Sequence, residues 1–403
     1  MAWFYNRLHV LLRWLWGRLG LMCRPIVGYA FAAIGWREDD KRQEKPESSE
    51  PPQRSFPECE GQHEDEAEPS AEEDEDQDED QDQDEDEDEF DSQEYRVETS
   101  DALYCAYDST WDTEEPQEGE FNTTCRPPAF RHYKFSRFES AARDMQNYRH
   151  KYPSQTRRQH WMKPISDDKP NLKFYLGQTP SVPDGVYIHD FHDKWAGAYE
   201  TLERVHTYIQ WLFPLQEPGV NYEASPLTTE EIEDFLQSSV AKENLLKSYK
   251  LMLDFYGMEL LDESTGEVQR SSNWPQRFSN LNRNTHNNLR ITRILKCQGV
   301  LGYPHYQAPL VWFFLKETLV NGQLPNVRDS VLNYFVFAVL DKRQRRSLLK
   351  FAFLNYDRRD EFVWCPKKIQ MKWSRLSEAR EAEDTMGELT DQKMCAGESD
   401  EDF

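Results

Sequence analysis

Residues 58–95 hold 23 acidic side chains and no Lys or Arg. A stretch this charged and this poor in aliphatic groups cannot bury enough apolar surface to offset the entropy of ordering it. Without it, the formal charge of the 403-residue chain moves from −26 to −3. Acidic residues also outnumber basic ones elsewhere in residues 1–125 and in 378–403, so residues 126–377 keep 27 acidic against 36 basic side chains, a net of +9. An acidic chain therefore contains a basic core. About 250 residues remain for folding, enough for one core that removes roughly 70–75% of its chain surface from water. The acidic region is expected to act as a disordered spacer; a sharper alternative is an anionic arm that folds back on the basic core.

Residues 1–37 contain five arginines, no lysine and no acidic residue. At helical spacing Phe4, Leu8, Leu11, Leu12, Leu15, Leu19 and Met22 share one face, with Arg7, Arg13, Arg18 and Arg24 across the other. The uncharged run Pro25–Trp36 is 12 residues long, short of the ~20 that span a bilayer. The segment predicts an in-plane helix on an anionic membrane surface, with import targeting and docking on the chain's own core as alternatives.

Seven cysteines form no Cys-x-x-Cys pair, which argues against a disulfide framework or a structural zinc site. His189-Asp190-Phe191-His192-Asp193 is the densest metal-like cluster, but no further ligand pair lies near it in sequence. Asp190 and Asp193 are more economically an N-cap and a first-turn carboxylate. No phosphate loop, nucleophile elbow, zinc helix or kinase signature is present, so no catalytic residue, metal or cofactor is assigned and the chain is not expected to be an enzyme.

The basic core reads as all-α. Trp195, Tyr199, Leu202, His206, Ile209 and Phe213 form a stripe ended by Pro214, which places His206 in the core. Thr228 and Glu231 form a capping box, with Leu227 stapling to Ile232. Leu245, Leu246, Tyr249, Met252, Leu253 and Tyr256 make one apolar face that stops at Gly257. From Asn287 on, Leu289, Ile291, Ile294, Leu295 and Leu301 are expected inside and Arg290, Arg293 and Lys296 outside. Leu310–Val320 predicts a central helix, and Val331–Leu340 another. Lys342, Arg343, Arg345 and Arg346 form a run fit for a nuclear import receptor or for a solvated helix face. Aromatics do not interleave with it, so sequence-specific nucleic-acid binding is not expected.

Residues Tyr148–Pro153, Asn171–Tyr175, His206–Leu215, Asn287–Lys296 and Phe362–Trp364 together resemble the opioid growth factor receptor family over about residues 130–366. Leu103–Trp111 is an apolar island in the acidic region that reads as a short docking motif, and the Asp108-Ser109-Thr110-Trp111 within it is similar to that family's N-terminal motif. The resemblance implies a helical receptor, unrelated to seven-helix receptors, that binds an enkephalin peptide, restrains proliferation and resides in cytoplasm, perinuclear region and nucleus. Composition and the resemblance together divide the chain into an N-terminal segment 1–37, an acidic disordered linker 38–128, a helical domain 129–377 and an acidic disordered tail 378–403. The Arg-rich N-terminus departs from the family pattern and makes membrane attachment particular to this chain. A zwitterionic peptide needs an apolar cleft and a cation for its carboxylate; Arg290 and Arg293 are the candidates. A membrane-tethered interaction scaffold without peptide affinity is the rival reading.

Overall fold

The computed structural model describes residues 94–113, 133–150 and 168–379. The segment 1–37, most of the expected linker and nearly all of the tail lie outside them. Within the described residues the architecture is a helical bundle with two small strand pairs, in agreement with the helical expectation.

Helix α1 is Tyr133–Arg149, followed by the short helices α2 (Pro170–Tyr175), α3 (Ile188–Lys194), α4 (Tyr199–Arg204) and α5 (Ile209–Leu212). Next come α6 (Thr229–Gln237) and the long α7 (Ser239–Tyr256). Thr228 and Ser238 cap these two, accepting from the amides of Glu231 (3.1 Å) and Ala241 (3.2 Å), which satisfies amide groups that a helix start leaves unpaired. The expected capping box is present. The Glu231 carboxylate also reaches across to cap α2, accepting from the amides of Asn171 (2.7 Å) and Leu172 (3.0 Å). Gly257 ends α7 at φ +86°, and a side chain there would meet Arg277 and the Trp274 backbone, so the stop read from sequence is imposed twice, by conformation and by space.

An antiparallel pair, Met258–Leu260 with Val268–Arg270, leads to α8 (Trp274–Arg283) and α9 (Asn287–Val300). Helix α10 (Gln307–Leu315) continues through a π turn at Lys316–Val320. Helix α11 (Arg328–Ser330), a π turn at Val331–Phe335 and α12 (Val336–Ala338) form the second apolar helix expected near residue 331. Helix α13 (Lys342–Leu354) starts on Asp341, whose carboxylate accepts from the Gln344 amide at 2.6 Å. A last helix, α14, covers 367–379 of the described residues.

Gln307 ties the centre together. It is fully buried, its Nε2 sharing two hydrogens among Tyr148 Oη (2.9 Å), Leu295 O (2.8 Å) and Ala338 O (2.8 Å), while its Oε1 accepts from the Leu340 amide (2.9 Å). One amide thus joins α1, α9, α10 and the end of α12. Gly299 lets them approach, since a Cβ there would lie 2.3 Å from Tyr148 Oη.

Two sequence expectations change. The stripe from Trp195 to Phe213 is broken, because Val205 is extended and ends α4. His206 falls in the break and is exposed, its Nδ1 2.7 Å from Arg204 O. Residues 94–113, expected within a disordered linker, are packed. Arg96–Val97 pairs in parallel with Asp112–Thr113, and Val97, Cys105 and Trp111 join the main core.

Candidate functional site

Breaking the chain at Val205 and again after Leu212 leaves backbone carbonyls of Leu202, Val205 and Phe213 without helical partners of their own, and buried carbonyls need donors. Helix α9 supplies them. Arg290, 5% exposed, donates to Leu202 O (2.7 Å), Val205 O (2.8 Å), Asn287 Oδ1 (3.2 Å) and Tyr208 Oη (3.3 Å). Arg293 is half-buried and donates through Nε to Phe213 O (2.7 Å). Lys296 is buried and pairs with Glu217 at 2.8 Å, its ammonium 5.7 Å from the Tyr148 ring centre. The three-residue spacing that suggested a solvated cationic face is instead a rail facing the irregular segment 202–217. Leu289, expected inside, is 71% exposed.

The second basic feature behaves likewise. Arg345 and Arg346, both 3% exposed, point into a seam with residues 94–113. Arg345 donates to Thr110 Oγ1 (3.0 Å), Ser109 O (3.3 Å), Val339 O (2.8 Å) and Leu340 O (2.8 Å). Arg346 donates to Thr110 O (3.0 Å) and pairs with Asp112 (2.7 Å), which Lys342 also engages. Arg149, at the end of α1, donates to Tyr107 O (2.7 Å) and to Asp108 (3.3 Å). Of the run, Arg343 faces outward. Burial raises the Asp112 pKa, but hydrogen bonds from Lys342 and Arg346 outweigh it and hold the carboxyl below its ordinary value. Burial, with Arg149 beside it, lowers the Arg345 guanidinium to about 10, so the group stays charged at neutral pH.

Residues 165–370 match the opioid growth factor receptor conserved region. The chain belongs to the opioid growth factor receptor family. It is 52% identical over 227 residues to the opioid growth factor receptor of Mus musculus, covering 56% of this chain and 35% of that one. It is 51% identical over 232 residues to the Homo sapiens protein of that name, covering 58% and 34%. It is also 48% identical over 233 residues to opioid growth factor receptor-like protein 1 of Mus musculus, covering 57% and 48%. The chain thus spans about a third to a half of the length of these relatives. No solved structure matches it.

The family's conserved region contains α2 to α13 and the Arg290 rail, whereas α1 and residues 94–113 precede it. Two of the arginines buried in α13 therefore depend on partners from outside the region that defines the family.

Asp190 sits in the first turn of α3 rather than at its N-cap and pairs with Lys194 at 2.8 Å. Asp193 is in the last turn of α3. His192 lies 3.0 Å from Ser248 Oγ, and burial, reinforced by Lys247, lowers its pKa to about 4. Among the described residues no group of three or more His, Cys, Asp or Glu is placed to hold a metal. An apolar void among Tyr249, Met252, Tyr256, Ile291, Leu310 and Phe314 has room for about one water molecule, far too little for a pentapeptide. No helix of the described residues is long and apolar enough to cross a membrane.

Proposed function

We propose that this chain is a receptor for an opioid growth factor peptide of the enkephalin class, restraining cell growth and working in cytoplasm, perinuclear region and nucleus. The observation that carries the reading is the match of residues 165–370 to the family's conserved region, together with about 50% identity to relatives named opioid growth factor receptor. Arg293 is the better candidate for the peptide carboxylate. Of the two, Arg293 is the more exposed, and either side chain would have to exchange bonds it already makes, Arg290 four and Arg293 the one to Phe213 O and its further interactions. The segment it holds runs on to Val220 and Tyr222, 84% and 91% exposed. Asn221 between them is pinned by Gln210 at 2.6 Å and by Val182 O at 2.8 Å. An exposed aromatic side chain on a pinned backbone suits contact with a short peptide that carries aromatic side chains.

Labelled enkephalin titrated onto the full chain tests this. Saturable binding that weakens at least about tenfold in Arg293→Ala supports it. Binding indifferent to Arg290→Ala and Arg293→Ala in folded protein removes the site. No saturable binding by the parent removes the receptor reading and leaves a membrane-tethered scaffold, with residues 1–37 on the membrane. Import through Lys342, Arg343, Arg345 and Arg346 is also part of the proposal and requires residues 94–113 to leave the seam.

A further inference from the structure

Residues 94–113 sit on the bundle as a peptide ligand sits on a receptor. Their own secondary structure is little more than two residues paired with two. They join the core through side chains more than 230 positions away in α13 and backbone amides more than 260 away in α14. Asp101 caps α14, accepting from the amides of Lys367 and Lys368, both at 3.0 Å. Glu94 pairs with Lys372 at 2.5 Å. Trp111 lies between Tyr95 (6.1 Å) and Trp373 (6.0 Å), and Arg346 stacks 4.6 Å from the Tyr95 ring centre. The chemistry read by the seam is therefore an aromatic wedge with carboxylates on both sides, Asp108 and Asp112, placed against Arg149, Arg345, Arg346 and Lys342.

The fit is incomplete. Asp108 Oδ2, Trp111 Nε1, Arg149 Nε and Trp373 Nε1 are buried here without hydrogen-bond partners, although buried polar atoms are normally satisfied. A half-satisfied polar seam is the kind of contact that another ligand could replace at little cost.

We propose that the face built from α1, α13 and α14 is a recognition site for an acidic peptide carrying a tryptophan between carboxylates, occupied in this chain by residues 94–113, and that a partner protein bearing such a segment binds by displacing them. The ligand is tethered, so its effective concentration is high and a free competitor must exceed it. Binding weakens with salt because part of the attraction is between charges near the surface.

The test uses the full chain with a protease site placed within 114–132 and a labelled synthetic peptide of residues 94–113. After cleavage the N-terminal fragment is expected to co-elute with the bundle. Excess peptide should displace it saturably, and the Asp112→Asn peptide should do so about tenfold less well. A fragment that the peptide never displaces, or peptides that displace it equally well, overturns the proposal. Should cleavage unfold the chain, as read by circular dichroism, the uncut Trp111→Ala, Asp112→Asn double variant is titrated with the parent peptide instead. Binding by that variant and not by the uncut parent supports the proposal. Absence of binding by the folded variant, or equal binding by both, overturns it. Neither result depends on enkephalin affinity.

Discussion

Two cationic helix faces in this molecule look alike in sequence and do different work. On α9, Arg290, Arg293 and Lys296 serve carbonyls and a carboxylate of the segment 202–217, within a hundred positions of themselves. On α13, Arg345 and Arg346 serve a segment some 235 positions away. The first face fills valences created by breaks in neighbouring helices, so it is bound into the fold. The second receives a separable segment whose carboxylates face it across a partly exposed seam, so it responds to salt, acid and competitors. Burial of a cation therefore does not reveal its role; the identity and sequence distance of its acceptor do.

The comparison breaks first at Arg290. Arg290→Ala strips the Val205 carbonyl of its guanidinium donor and leaves the Leu202 carbonyl with Tyr208 Oη alone, and is expected to destabilise the fold by roughly 3–5 kcal/mol in denaturant unfolding. Arg290→Lys should recover only part of this, because an ammonium cannot span the same fork of acceptors. A loss below 1 kcal/mol would mean the rail is not structural. Arg346→Ala comes next, at about 2 kcal/mol, with increased hydrogen exchange concentrated in residues 94–113. Exchange spread evenly over α9 as well would erase the distinction between the faces.

Asp112→Asn is expected to cost about 1 kcal/mol at low salt and less at high salt, since Asp112 is only partly buried and its pairs are screened. An Arg290→Ala loss that fell equally with salt would contradict the contrast. Acid gives the same separation with a definite sign. The Asp112 pKa is lowered by folding, so its contribution is fully present above the unfolded value near 3.8 and is lost as pH falls through the lower folded value. Burial raises the Glu231 pKa despite its hydrogen bonds, so ionising it opposes folding, and acid relieves that penalty. Exchange protection of residues 94–113 should therefore fall below pH 4 before that of α2, which Glu231 caps. Last, Leu289→Lys should change stability by less than about 0.5 kcal/mol, since the outward face of α9 is Leu289 and not its arginines.

Much of the bundle was legible. Thr228 before Glu231, and Gly257 after a clean apolar face, are local signals whose physics is complete within a few residues: a hydroxyl meets a nearby amide, and a left-handed turn needs glycine. The candidate sites were far less legible. Periodicity assigned Arg290, Arg293 and Lys296 to solvent because cations usually go there, and nothing in a helical pattern announces that a neighbouring chain will break at Val205 and need donors. His206 was misplaced by the same break. The one signal that could have been used was Asp108-Ser109-Thr110-Trp111, a tryptophan among carboxylates that pointed to docking, while its acceptor, α13, was read separately as an import run.

The amino-acid order by itself settled where charge accumulates, where helix α6 begins and where helix α7 ends, since each rests on composition or on short-range geometry, and the resemblance of whole blocks of residues pointed to the family. Only the tertiary structure decided which cations are buried, that α9 repairs a broken segment, and that residues 94–113 fold onto α13 and α14. Those outcomes depend on carbonyls and carboxylates brought together from tens to hundreds of positions apart, and the stability of such a contact is set by the desolvated partner it finds, which no local pattern specifies.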